Sequence, residues 1–391
     1  ANRGEILKLQ KEETVMYKIM TAGPTQVREN VRRARSFVTT NPDLDEAFFD
    51  FYKETCDHLQ TLLHASGSAY ILGGEGILGL EAACASLTEA GDRVLVLDNG
   101  IFGKGFADFV SMYGGEPVLF TSDYHNPIDV EALRAFLEKD SDFKYATVVH
   151  CDTPSGVLND ISKICPLLAE YGILNVVDSV AGMFGEPVDF DASCIDILCG
   201  GSQKALSAPP GLTMVWVSEK AKQVMQNRKT PVAAFYANLL NFLSYYEDKW
   251  FPYTMPISDI VGLRAAVDNV LADTEIYARH AKIAAATREA LTKAGLHLYL
   301  QSGYSNTVTV IEVPEGLTDQ AILSTMRDKY NVMISGCFDV LAGKVIRIGH
   351  MGENANEADL CMTLAAMDKT FADLGYPLQC SMKEVFLKSL A

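Results

Sequence analysis

The sequence is short of positive charge: 33 lysines and arginines stand against 50 aspartates and glutamates, a formal net charge of −17. A surface with that balance repels phosphate backbones and anionic headgroups, so neither nucleic acid nor a membrane surface is an expected partner. Long apolar runs are missing as well. No stretch reaches the roughly 18 residues that cross a bilayer. The opening segment ANRGEILKLQKEETVMYKIM is polar and mixed in charge, without the apolar centre of a secretory signal. The nine cysteines form no C-x-x-C pair and no even framework. Scattered thiols of this kind fit a reducing compartment, and the cytoplasm is the expected location. Internal repeats and low-complexity tracts are absent.

What is present is an ordinary globular composition, 48% hydrophobic and 21% charged, in a chain of 391 residues that is too long for one small core. The runs VLVLD (94–98), ATVVHCD (146–152), LNVVDSV (174–180), DILCG (196–200) and TMVWVS (213–218) are almost continuously apolar, as strands buried on both faces are. Segments such as DVEALRAFLEKD (129–140) and ISKICPLLAEYG (161–172) are long enough for helical crossovers. This alternation predicts an α/β architecture with an open, mainly parallel sheet, and ligands then sit beyond the carboxyl ends of the strands. Residues 257–294 read as one or two long helices ending near Gly295. After them the pattern restarts: strand 307–313, helix 319–330, a short strand near 332–334, strand 344–349 and helix 355–375. The expected division is an N-terminal arm (1–24), a large cofactor-binding domain (25–270) and a smaller C-terminal α+β domain (271–391).

Two charged residues stand where charge is costly. Lys204 lies in CGGSQKALSAPPG, directly after an apolar strand; by itself it reads equally well as a surface-loop lysine. Asp178 ends the run LNVVD, and a carboxylate in a central strand needs a partner. That partner is either a structural group, such as a helix N-terminus or an ion-pair cation, or a protonated pyridine nitrogen. Pyridoxal enzymes join a Schiff-base lysine to such a carboxylate, which keeps the ring an electron sink. The spacing of 26 from Asp178 to Lys204 allows one crossover, placing both at the same sheet edge.

These residues, with HCDTPSGVL (150–158) and KVIRIGHMG (344–352), resemble the fold-type I, class V aminotransferases, and the likeness runs from TAGPTQV (21–27) into the C-terminal domain. The branches most resembled contain the alanine–glyoxylate (serine–pyruvate) and pyridoxamine–pyruvate enzymes. The resemblance implies pyridoxal 5′-phosphate, or unphosphorylated pyridoxal or pyridoxamine as a substrate, with Lys204 as Schiff-base lysine and proton shuttle and Asp178 on the pyridine nitrogen. It implies that Thr153 contacts the phenolic oxygen, that Phe102 stacks on the ring and that Gln203 flanks the lysine. Arg347 would clamp the substrate carboxylate, for which a guanidinium is suited by its paired N–H groups, and Gly23 and Pro24 would cover the substrate. Without the resemblance, Phe102 reads as a core aromatic and Arg347 as a strand-end surface residue. A homodimer is implied too, with Thr254 reaching the partner's site. His150, Cys151 and His350 lack ligand spacing, and no metal is expected.

The turn GGEGILGLEAA (73–83) places Glu75, Gly76 and Ile77 at a helix start suited to a phosphate. Family members of the alanine–glyoxylate type have a small hydroxyl residue where Glu75 stands, and a tyrosine where Phe251 stands. The pyridoxamine–pyruvate branch has a glutamate at that turn. Two readings follow. Either the site takes free pyridoxamine or pyridoxal, or Glu75 caps the helix and the phosphate binds normally. The branch also carries a second arginine in the loop that here reads ISGCFDVLAGK, where Cys337 or Phe338 stands. The expected activity is amino transfer from an amine to a small 2-oxo acid, pyruvate or glyoxylate. The alternatives are an alanine/serine–glyoxylate or –pyruvate enzyme with resident cofactor and, more distantly, a cysteine desulfurase or lyase using Cys337, ten residues before Arg347.

Overall fold

The computed structural model describes residues 17–391; residues 1–16 of the expected arm, and most of the segment weighed above as a secretory signal, lie outside the described residues. A seven-stranded sheet organises the larger part of the chain. In chain order its strands are β1 (Ser68–Gly73), β2 (Arg93–Asp98), β3 (Glu116–Thr121), β4 (Tyr145–Val149), β5 (Leu174–Asp178), β6 (Ile197–Gly201) and β7 (Leu212–Val217). In space they run β1-β7-β6-β5-β4-β2-β3. Only β7 is antiparallel to its neighbours. Strands β4, β5, β6 and β7 are buried at every residue, which is why they read as unbroken apolar runs. The edge strand β3 begins Glu-Pro and is exposed at Glu116, Leu119 and Thr121, so it gives no such run; β1 is likewise not among the five.

Helices cross between the strands and cover both faces. Three of them matter to the site: α1 (Glu46–Leu62) and α2 (Gly76–Leu87) flank β1, and α3 (Ile101–Met112) follows β2. Register places the functional ends together: Asp178 pairs with Val149 on one side and with Cys199 on the other. The carboxyl ends of β1, β2, β4, β5 and β6 therefore open onto one edge, each with a candidate residue at its end or in the short turn that follows.

The predicted long helical segment is two helices, α4 (Ile257–Leu271) and α5 (Ile276–Lys293), the second closed by Gly295 at φ 91. Then come β8 (Val308–Glu312), α6 (Asp319–Tyr330), β9 (Val345–Gly349), α7 (Glu357–Asp373) and α8 (Met382–Leu390), with β8 and β9 antiparallel. A large apolar cluster lies around the seven-stranded sheet. A second, built from residues such as Met20, Leu291, Ile346, Leu364, Phe371 and Phe386, lies in the C-terminal part. Lys18 and Ile19 pair with Val332 and Met333, and Gly349 N–H donates to the Met20 carbonyl at 2.8 Å, so the segment before Gly23 is stitched to the C-terminal strands.

Candidate active site

Lys204 stands in a tight turn after β6. Ser202 Oγ donates to the Pro209 carbonyl at 2.7 Å and Ala208 N–H to the Ser202 carbonyl at 2.9 Å, which closes the turn and aims the lysine away from the sheet. Its Nζ donates to the Ala22 carbonyl. Gly23, at φ 88, lies directly on the lysine: a Cβ there would come within 3.0 Å of its Cδ, Cε and Nζ. Burial, followed by the positive charge of Arg347, lowers the Lys204 pKa to about 8.

Asp178 is 5% exposed. Its Oδ1 accepts from the Val180 N–H at 2.9 Å, and Oδ2 has no hydrogen-bond donor among the described residues. Burial pushes this carboxyl up to about 7, and Asp152 and Glu75 add to the rise. A cation brought to Oδ2 would reverse that effect.

Glu75 is the N-cap of α2. One carboxylate oxygen accepts from Ile77 N–H at 3.0 Å, the other from Gln203 Nε2 at 3.0 Å. The helix start is thus already supplied with an anion by its own sequence. Gly76 packs so closely against Val180 that a Cβ would lie 2.8 Å from its side chain, which brings the helix start down onto the end of β5. Gln203 Oε1 is buried and unpartnered.

Phe102 sits in the first turn of α3, its N–H donating to Asp152 Oδ1 at 3.1 Å. Asp152 also accepts from Ser155 Oγ at 2.9 Å, and burial pushes it up to about 6. Thr153, next in sequence, is buried, and its hydroxyl makes no hydrogen bond among the described residues. Glu75, Gly76, Ile77, Phe102, Thr153, Asp178, Gln203 and Lys204 together line one cavity of about 210 Å³, with Leu80, Cys151, Val180 and Ala181. Sequence reasoning named Cys151 but gave it no role, and passed over Leu80, Val180, Ala181 and Asp152; the carboxylate was legible by the same signal as Asp178, a charge placed at the end of an apolar strand.

Arg347 lies in β9, half-buried. Its Nε donates to the Gly336 carbonyl at 2.7 Å, while its two terminal nitrogens have no hydrogen-bond partner among the described residues. Burial lowers its pKa from the usual range, and Cys337 and Asp152 oppose that. Thr254 does not line the cavity of its own chain; it is exposed and donates to Asp43 Oδ2 at 2.9 Å. Phe251 is buried in an aromatic cluster, stacked on Phe49 at 4.6 Å. Cys337 is half-buried, and burial raises its thiol pKa.

An amine with a depressed pKa, a buried carboxylate with a free oxygen and an unbonded hydroxyl thus line one cavity at the edge of the large sheet, and a guanidinium with free terminal nitrogens stands on β9, near enough to lower the pKa of the amine. The family model described as aminotransferase class-V matches residues 23–354. The chain belongs to the class-V aminotransferases. This class-V aminotransferase is 35% identical over 356 residues to the pyridoxamine–pyruvate transaminase of Mesorhizobium japonicum, covering 89% of this chain and 90% of that protein. The solved structure of pyridoxamine–pyruvate aminotransferase from Mesorhizobium loti has a TM-score of 0.91 at 33% identity, covering 95% and 96% of the two chains. That of ureidoglycine–glyoxylate aminotransferase from Bacillus subtilis has a TM-score of 0.92 at 27% identity, covering 95% and 97%. The fold is that of the fold-type I pyridoxal-dependent transferases, and the chain is a transaminase.

Proposed function

We propose that this aminotransferase passes an amino group to a small 2-oxo acid, pyruvate or glyoxylate, with free pyridoxamine as donor, so that the ring is a substrate held without a phosphate. The observation that carries this reading is Glu75. Its carboxylate takes the Ile77 N–H at the start of α2, where a phosphate ester would otherwise sit. An ester placed there would forfeit that donor and face a like charge.

The remaining residues suit a pyridoxal-type ring. The free Asp178 oxygen matches a pyridinium N–H, and that pairing would offset the burial that now raises its pKa. Thr153 offers its unbonded hydroxyl to a phenolic oxygen, and Phe102 a face for the ring to pack on. When bound, such a ring supplies the electron sink for bond breaking at the amine-bearing carbon. Lys204 Nζ, with its pKa lowered to about 8, is partly neutral near neutral pH and can take a proton from that carbon and return it. Arg347 presents its free terminal N–H groups to the acid's carboxylate. The Ala22–Gly23 segment covers the lysine and limits water there.

We also read the chain as arm (1–24), large domain (25–270) and small domain (271–391), a division that the two separate apolar clusters support. A homodimer fits the exposed Phe235, Tyr236 and Trp250 near Thr254 in the sequence, with Thr254 reaching the partner's pocket. No helix among the described residues is long and apolar enough to cross a membrane; the cytoplasmic location rests on cysteine usage.

The test is incubation of cofactor-free protein with pyridoxamine and pyruvate. Catalytic appearance of pyridoxal and alanine without any phosphate ester is expected. Tight retention of pyridoxal 5′-phosphate, with turnover confined to amino acids such as alanine or serine and oxo acids, would overturn the reading in favour of the resident-cofactor type.

A further inference from the structure

The loop between Ser335 and β9 holds an aromatic side chain that the proposed chemistry does not use. Phe338 is 44% exposed, yet it touches both sides of the site. Its ring meets that of Phe102 edge-on, with centroids 6.0 Å apart and planes at 70°. The Arg347 guanidinium lies 5.8 Å from its centroid. Phe338 therefore spans from the carboxylate clamp to the aromatic at the ring pocket, over the path along which the side chain of an acid held by Arg347 must run.

The charges around it are unequal. Cys337, its neighbour, feels Arg347 on one side and both Asp152 and Asp339 on the other. Arg347, whose own nearby anionic group is Asp152, has its terminal nitrogens free for one carboxylate. A second carboxylate on the same substrate would meet an aromatic ring in place of a donor, in a loop whose Cys337 thiol already feels the negative charge of Asp152 and Asp339.

We infer that Phe338 is the residue that selects the acid substrate, admitting monocarboxylates with a short apolar side chain and excluding dicarboxylates. This rests on the proposed function for the role of Arg347, and it adds to that role the class of side chain the acid carries. Apolar side chains gain contact with the ring when they displace water from it. A charged tail loses its hydration and finds no donor there.

The experiment compares 2-oxobutyrate with 2-oxoglutarate on the full protein, its Phe338→Ala and its Phe338→Arg variants. Two readouts are used: kcat/KM for amino transfer, and calorimetric titration of each acid with no amine present. The parent should favour 2-oxobutyrate by roughly 100-fold in kcat/KM, and Phe338→Ala should cut that preference about tenfold, the scale set by losing a hydrophobic contact in a pocket. Phe338→Arg should move the preference toward 2-oxoglutarate by about tenfold or more, because a guanidinium pairs with the second carboxylate. The side chain's exposure makes both variants compatible with folding. A parent that prefers 2-oxoglutarate, or preferences that stay within about twofold in both variants, would overturn the inference. Should no acid be aminated while the calorimetric preferences shift as stated, the proposed function falls and the role of Phe338 stands.

Discussion

Gln203 Nε2 donates to Glu75 Oε2 at 3.0 Å, across 128 residues of sequence, and so ties the start of α2 to the residue beside Lys204. The same carboxylate caps the helix through Ile77. Glu75→Ser separates these roles, because serine keeps a helix cap while removing the charge. The variant should bind pyridoxal 5′-phosphate at least about tenfold more tightly than the parent, with little change for pyridoxal. An absorbance titration of cofactor-free protein with each compound decides it; unchanged ester affinity would show that Glu75 is not what excludes the phosphate.

Asp178 gives a pH dependence with a definite sign. In the cofactor-free protein burial raises it from 3.8 to about 7. Its contribution to stability is therefore full below pH ~4 and is lost as pH rises toward ~7, where the folded state must hold a buried charge. Asp178→Asn should flatten that fall and leave the free protein more stable at neutral pH, by an amount on the order of a few kcal/mol. Urea midpoints measured from pH 4 to 8 on both proteins test this; parallel curves would mean that Asp178 is paired in the free protein. The same variant should bind pyridoxal much more weakly, since its amide cannot hold a pyridinium charge.

Gly23→Ala should act on the lysine before it acts on the fold. The added Cβ would fall within 3.0 Å of three Lys204 side-chain atoms, at a φ of 88 that an L side chain adopts with strain. We expect turnover to drop by roughly 10- to 100-fold, with a stability loss of about 1–3 kcal/mol. Kinetics and denaturation of one preparation give both numbers. Unaltered turnover would show that the lysine side chain relaxes freely.

Cys337→Ser distinguishes amino transfer from sulfur chemistry. Burial raises the Cys337 thiol pKa, although Arg347 opposes it, so the group stays protonated at neutral pH and is a poor nucleophile. Transaminase activity should stay within about threefold of the parent. Loss of more than about 100-fold, together with sulfide release from cysteine by the parent, would favour the desulfurase alternative.

Much of the large sheet was legible because its central strands are buried on both faces and must be continuously apolar. Strand β3, half-exposed at the edge, carries no such constraint, and its Glu-Pro start hid it. Lys204 and Asp178 stood out as charges beside buried strands, but the roles of Thr153, Phe102 and Arg347 came from resemblance, since nothing in a lone threonine, phenylalanine or arginine marks a pocket. Asp152 shares the signal of Asp178 and was passed over. The contacts joining Glu75 to Gln203, and Phe338 to Phe102, connect segments far apart in sequence, and no local pattern encodes them. Glu75 caps α2, as the second of the two sequence readings requires, and also lines the pocket; the Glu75→Ser titration decides between an ester and an unphosphorylated ring.

The pairing of Lys18 and Ile19 with Val332 and Met333 bears on the order in which the molecule assembles. The Ala22 carbonyl that receives the Lys204 amine sits on a segment anchored to strands more than 300 residues later. During synthesis the seven-stranded sheet can emerge and close while that segment still lacks its docking partner, because so long a loop closes late. The roof over Lys204 can settle only after those strands have emerged, and until then the amine stands open to solvent beside a sheet whose seven strands are already made.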